Sequence, residues 1–153
     1  MPSFDIHLAV GKRYIEKNNI KDKYSFMKGT IAPDLVPDKD KSHYTEERDN
    51  DTVLTHLKTK IYLPKFLKEN EINTDYMKGV FLHLITDFLF FNDFLKKDYL
   101  SNISYNEFFQ DLYYSYDLSN NYLREKYNID FKSFIEENSL DLDKEKLMKT
   151  YNK

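Results

Sequence analysis

Residues 79–91 read GVFLHLITDFLFF, an apolar run broken only by Gly79, His83, Thr86 and Asp87. A helix that is apolar on nearly every side has to be surrounded by protein. The run is too short and too polar to span a bilayer. The chain is therefore expected to wrap other elements around this segment. His83 and Asp87 are four residues apart, which puts both side chains on one helix face, one turn apart. A buried ionised carboxylate needs a partner, and Lys78, Lys96 and Lys97 are all more than two turns from Asp87. Two solutions are open at this point. His83 and Asp87 hydrogen-bond each other in the core, or they share a divalent cation, for which imidazole and carboxylate are standard ligands.

The surrounding pattern is helical throughout. Only three glycines and four prolines occur in 153 residues, which disfavours a turn-rich all-β fold. Ser3 is a candidate N-cap, with Asp5 in the first turn and Phe4, Leu8, Gly11 and Ile15 along one side of a helix to about Lys17. A short helix from about Lys21 should stop at Gly29. Residues 30–50 read as loop, and a helix over 51–70 should be kinked or split at Pro64. Thr74 or Asn73 caps the central helix, expected to reach Lys97. Ser104 and Glu107 form a capping-box pattern before another long helix. Short helices over 131–137 and 143–151 complete the reading. The expectation is one all-α domain over 1–153, a compact multi-helix bundle, with the polar 126–153 stretch as a loosely docked tail.

Composition narrows the chemistry. There is no cysteine, so thiol catalysis and Cys-type zinc sites are excluded. The formal charge is -3, with basic and acidic residues mixed, so no nucleic-acid-binding surface is evident. The first 17 residues show no basic region followed by an apolar core, so no signal peptide is expected, and with no membrane span the expected location is cytoplasmic.

A second segment, GTIAPDLVPDKDKSHY over 29–44, carries the remaining signal. Ala32-Pro33 holds the chain extended before Asp34, and a lone His43 follows in a highly charged loop. Each has an ordinary reading, Asp34 as a turn residue or cap and His43 as a surface histidine. Taken together, Asp34, His43, His83 and Asp87 supply two imidazoles and two carboxylates, a full set for one zinc. His56, in DTVLTHLKTKIY, reads as structural or surface. In EFFQDLYYSYD, Phe108, Phe109, Leu112 and Tyr116 read as a core stripe, with a substrate-stacking wall as the alternative.

FMKGTIAPDLVPDKDKSHY followed at distance by KGVFLHLITDFLF resembles the zinc-dependent phospholipase C family, a helical fold shared with fungal zinc single-strand nucleases. The resemblance covers roughly residues 1–95. It implies that Asp34, His43, His83 and Asp87 hold one zinc, that Asp87 bridges to a second, and that His7 helps to hold that second ion. The family also carries a further His after the helix Asp and an H-x-x-x-E on the next long helix. This chain has no His after His83; Asp93 falls near the first position, and Asp117, or Glu107 and Asp111, stands in on the next helix. A carboxylate-rich second site there would suit Mg or Mn. The activity implied is hydrolysis of a small phosphate ester, a metal-activated water attacking phosphorus with Asp34 doubling as general base. The other class of reading is a non-catalytic helical protein with a structural zinc. An HD-type phosphohydrolase ranks low because no adjacent His-Asp pair occurs.

Overall fold

The computed structural model describes residues 2–45, 61–95, 102–130 and 133–134. It is all-α, and among the described residues no strand occurs; Thr45 and Ile61 make an isolated antiparallel bridge. Helix α1 spans Phe4–Lys17, α2 Lys23–Gly29, α3 Lys39–Ser42, α4 Leu63–Glu69, α5 Asp75–Leu89 and α6 Tyr105–Tyr127. No helix among the described residues is long and apolar enough to cross a membrane.

The helix starts follow the expected caps. Ser3 accepts from the Ile6 amide and Thr74 from the Met77 amide. Ser104 and Glu107 make the reciprocal capping box. Three regions depart from the sequence reading. The 30–45 stretch is not plain loop: Ala32–Leu35 forms a 3₁₀ turn with Pro33 near its start, and α3 follows. Pro64 does not kink a helix; it sits in the first turn of α4, where a missing amide hydrogen is tolerated. Helix α5 ends at Leu89, and a π-turn over Phe90–Phe94 takes over, so the element does not run as an α-helix to Lys97. The turn brings the Phe90 and Phe94 rings into a stack with centroids 5.4 Å apart. Residues 51–60 with His56, the end of the central segment beyond Leu95, and the short helices expected after 134 lie outside the described residues.

Helices α2 and α5 make the closest crossing. Gly29 and Gly79 face each other there: a Cβ on Gly79 would lie 2.1 Å from the Phe26 carbonyl oxygen, and one on Gly29 would lie 2.1 Å from that of Tyr76. Only glycine lets the two backbones meet at this distance. Three apolar clusters hold the rest. Leu8, Ala9, Ile20, Phe26, Met27, Ile31 and Ile129 join α1 and α2. Phe108, Leu112 and Tyr116 form the inner stripe of α6, at helical spacing. Ile61, Phe66, Val80 and Leu84 pack α4 on α5.

Helix α5 is less enclosed than its composition suggests. Gly79, Val80, His83, Leu84 and Asp87 are buried, one continuous face, whereas Leu89 is exposed. On α1 the buried set includes Asp5, which the sequence presents as a first-turn acid. Its partner comes from far along the chain: Arg124 Nε and Nη2 donate to the two Asp5 oxygens, both at 2.9 Å. Ser3 Oγ also donates to Asn120 Oδ1 at 2.7 Å, so α1 and α6 are tied by polar contacts as well as packing.

Candidate metal centre

Five of the six residues expected to bind metal come together inside the bundle. His7 from α1, Asp34 from the 3₁₀ turn, His43 from the end of α3, and His83 and Asp87 from α5 are all buried. His83 and Asp87 are fully enclosed, while Asp34 is 8% exposed. The rigid Ala32-Pro33 step starts the turn that points Asp34 inward. Ser42 Oγ donates to the Pro33 carbonyl at 2.8 Å, which pins α3, and with it His43, against that turn.

The geometry is tight. His43 Nε2 lies 3.1 Å from His83 Nε2. Asp87 Oδ2 is 3.3 Å from His43 Nε2 and 3.4 Å from His83 Nε2. Asp34 Oδ1 is 3.5 Å from His43 Nε2. The other oxygens of the two carboxylates face His7, with Asp87 Oδ1 at 3.1 Å and Asp34 Oδ2 at 4.0 Å from its Nε2. The His7 and His83 rings stack 3.9 Å apart.

Tautomers follow from the outer partners. His83 Nδ1 is 2.8 Å from the Thr30 carbonyl oxygen, and His43 Nδ1 is 2.9 Å from that of Lys39. A carbonyl oxygen only accepts, so both Nδ1 atoms carry hydrogen and donate. The neutral rings then turn Nε2 lone pairs toward each other and toward two carboxylates. Such a set of acceptors repels itself unless a cation or additional protons sit among them. Neither ring nitrogen of His7 and neither oxygen of Asp87 has a hydrogen-bond partner, although all four atoms are buried. Orphaned buried polar atoms of this kind need a counterpart. The two overlapping groups, His7, His83 and Asp87, and Asp34, His43 and His83, place their ligand atoms within 4.8 Å of one another and can hold a metal ion.

Protonation in the metal-free chain follows the same logic. Burial alone would lower the His43 pKa, but the Asp34 and Asp87 carboxylates outweigh it and raise it to about 9. Burial would raise Asp34 and Asp87, yet the surrounding imidazoles hold both carboxyls well below the usual range. For Asp34 the Lys39 ammonium adds to this, with Nζ 3.2 Å from Oδ1. His7 is pushed down by its burial. A proton on His43 thus takes the place of a cation.

The sixth expected ligand is elsewhere. Asp117 is exposed on α6, one residue past the buried Tyr116, because the inner stripe at 108, 112 and 116 turns position 117 toward solvent. It belongs to neither ligand group. Asp93, Glu107 and Asp111 are exposed too. Tyr113, next along α6 from Leu112, is 61% exposed. Two features were missed from sequence. The Thr30 and Lys39 carbonyls orient the histidines, and backbone groups leave no residue-type signal. Lys39 itself was one charge among many, although it lies only five residues after Asp34. No family model, no curated protein and no solved structure matches this chain.

Proposed function

We propose that this chain is a divergent relative of the zinc-dependent phospholipase C family and a metal-dependent hydrolase of phosphate esters. The observation that carries the metal is the crowding around His43 Nε2, which lies 3.1–3.5 Å from His83 Nε2, Asp87 Oδ2 and Asp34 Oδ1, with Asp87 Oδ2 3.4 Å from His83 Nε2. A tetrahedral ion with bonds of about 2.0–2.1 Å has ligand-to-ligand edges of about 3.3–3.4 Å, which favours zinc. Asp34, His43, His83 and Asp87 would hold this ion. His7 faces the remaining oxygen of Asp87 at 3.1 Å, so a second ion would rest on Asp87 and His7, while Asp34 Oδ2, 4.0 Å from His7, stays free. Mg or Mn at a carboxylate-rich site on α6 has no support, since the acids there point outward.

A bound divalent ion supplies two things: it lowers the pKa of water toward neutrality and polarises a phosphoryl oxygen. The protein's own groups do the rest. Thr30 and Lys39 lock the imidazoles in the binding tautomer. Asp87 serves both sides of the cluster. Asp34 is ionised and lies on the edge nearest solvent, so it is the group that can take a proton there.

The test is turnover of bis(4-nitrophenyl) phosphate and 4-nitrophenyl phosphate by zinc-loaded protein, with and without chelator. Chelator-sensitive hydrolysis lost in Asp34→Ala supports the reading; a zinc-loaded chain with no turnover of any phosphate ester overturns it. A structural zinc site is the second reading, and one observation favours it. All five side chains are buried, and two surface cavities, of about 210 and about 400 Å³, are lined by none of them.

A further inference from the structure

We infer that Lys39 is the anion-receiving residue of the metal centre and that it selects a monoanionic phosphodiester group; this rests on the reading of the cluster as a hydrolytic metal site. His7, His83 and Asp87 are sealed inside the bundle at 1% exposure or less. The small accessible part of the cluster belongs to Asp34 and His43. A ligand arriving from solvent therefore meets the centre along the Asp34–His43 edge. Among the described residues, the cation that contacts this edge is Lys39, whose Nζ is 3.2 Å from Asp34 Oδ1 and whose side chain is 47% exposed.

Lys39 is held there by its backbone. Its carbonyl receives the His43 Nδ1 proton, and Ser42 of the same helix is bonded to Pro33. These bonds fix the Lys39 backbone beside the centre, so its flexible side chain stays within reach of the Asp34–His43 edge. Asp34 Oδ1 faces both His43 Nε2 and Lys39 Nζ, so an ion bound to Asp34 competes directly with the ammonium for that oxygen. Once the carboxylate is claimed, the ammonium stands next to a dication with no counter-charge of its own, an arrangement that repels unless an anion lies between them.

With one ion bound, charge points to the class of anion. That dication neutralises Asp34 and Asp87, the histidines are neutral when they bind metal, and Lys39 leaves the edge with one positive charge. A phosphodiester carries one negative charge and restores neutrality. A phosphomonoester dianion leaves a surplus. Lysine acts on such a group as a flexible point charge with three donors.

Zinc-loaded full-length protein, titrated calorimetrically with dimethyl phosphate and with methyl phosphate, tests this, with zinc content measured on the same samples. Lys39→Met should bind dimethyl phosphate about tenfold more weakly, the loss expected for one charge-assisted contact, with unchanged zinc content. Lys39→Arg, which keeps the charge, should stay within about threefold of wild type. Equal dimethyl phosphate affinity in wild type and Lys39→Met, loss of zinc in Lys39→Met, zinc-loaded wild type that binds no dimethyl phosphate, or preferential binding of methyl phosphate would each overturn the inference. Those outcomes leave the metal centre standing, whereas a wild-type chain that takes up no zinc removes both.

Discussion

Asp87 splits its carboxylate between two sides of one buried cluster, with Oδ1 3.1 Å from His7 Nε2 and Oδ2 turned instead to His43 and His83. Three imidazoles crowd the carboxylate at 3.1–3.4 Å, neither oxygen meets a well-aligned donor, and the residue is fully enclosed. An ordinary polar core aligns donors on its buried carboxylates. Asp87 is therefore the residue on which the metal account depends most. Asp87→Asn keeps the volume and removes the charge. Its zinc affinity should fall by more than about a hundredfold, since loss of an outer partner alone costs 10–100-fold. Competition with a chromophoric chelator measures this, and circular dichroism checks that the helices persist.

Metal affinity should rise with pH. In the metal-free chain His43 holds a proton up to about pH 9, and that proton must leave before Nε2 can bind an ion. Affinity should climb about tenfold per pH unit between about 6.5 and 9, with about one proton released per ion. Calorimetry in two buffers of different ionisation enthalpy counts the proton. An affinity independent of pH across this window would contradict the assignment of His43.

The same shifts govern stability without metal. The raised His43 pKa contributes stability that is complete below the unfolded value of about 6.5 and is lost as pH rises through about 9. The depressed Asp34 and Asp87 values contribute stability that is present above the unfolded carboxylate pKa of about 3.9 and is lost as pH falls through their lower folded values. The lowered His7 pKa adds stability that is lost as pH falls below its unfolded value of about 6.5, so urea unfolding of chelator-treated protein should peak near pH 6.5 and decline on both sides, with a further loss below about pH 4. Excess zinc should move the alkaline decline upward, because the ion replaces the proton.

Gly79→Ala should destabilise the fold by about 1–3 kcal/mol or more, through overpacking against backbone that has no room to give. Its Cβ would meet the Phe26 carbonyl oxygen at 2.1 Å. Separation of α2 from α5 would also pull the Thr30 carbonyl from His83 Nδ1, now 2.8 Å away, so zinc affinity should fall with stability. Gly11→Ala is the contrast. Its Cβ meets Met27 Sδ and Thr30 Cγ2 at 3.0 Å, ends of side chains that can shift, and should cost less. Parallel urea titrations decide the ranking.

Arg124→Met should cost roughly 2–3 kcal/mol, below the range for a fully buried pair because the Arg124 side chain keeps 26% exposure. The damage comes from leaving the 2% exposed Asp5 carboxylate without its partner. Asp5→Asn combined with Arg124→Met should recover part of it, which a double-mutant cycle reads directly.

The features visible in the sequence were those with a local pattern. Ser3, Thr74 and Ser104 announce helix starts by residue type, and the 108, 112, 116 spacing announces the inner face of α6. His83 and Asp87 share a face by helical periodicity alone. The rest depends on tertiary packing. The Asp5–Arg124 pair spans 119 positions, and no spacing rule links such residues. Asp117 was misjudged because an apolar neighbourhood in sequence was read as burial, while one step along a helix rotates a side chain by about 100° away from its neighbour. The π-turn after Leu89 also escaped, since the apolar pattern continues through it unchanged.

Elemental analysis of untagged protein purified without chelator is the most direct test of the centre. Wild type should carry one or two zinc ions per chain, and both His83→Ala and Asp34→Ala should lose them while remaining helical. Wild type that holds no zinc, even after incubation with zinc and gel filtration, would contradict the account and leave His43 protonated among its carboxylates as the whole of the polar core.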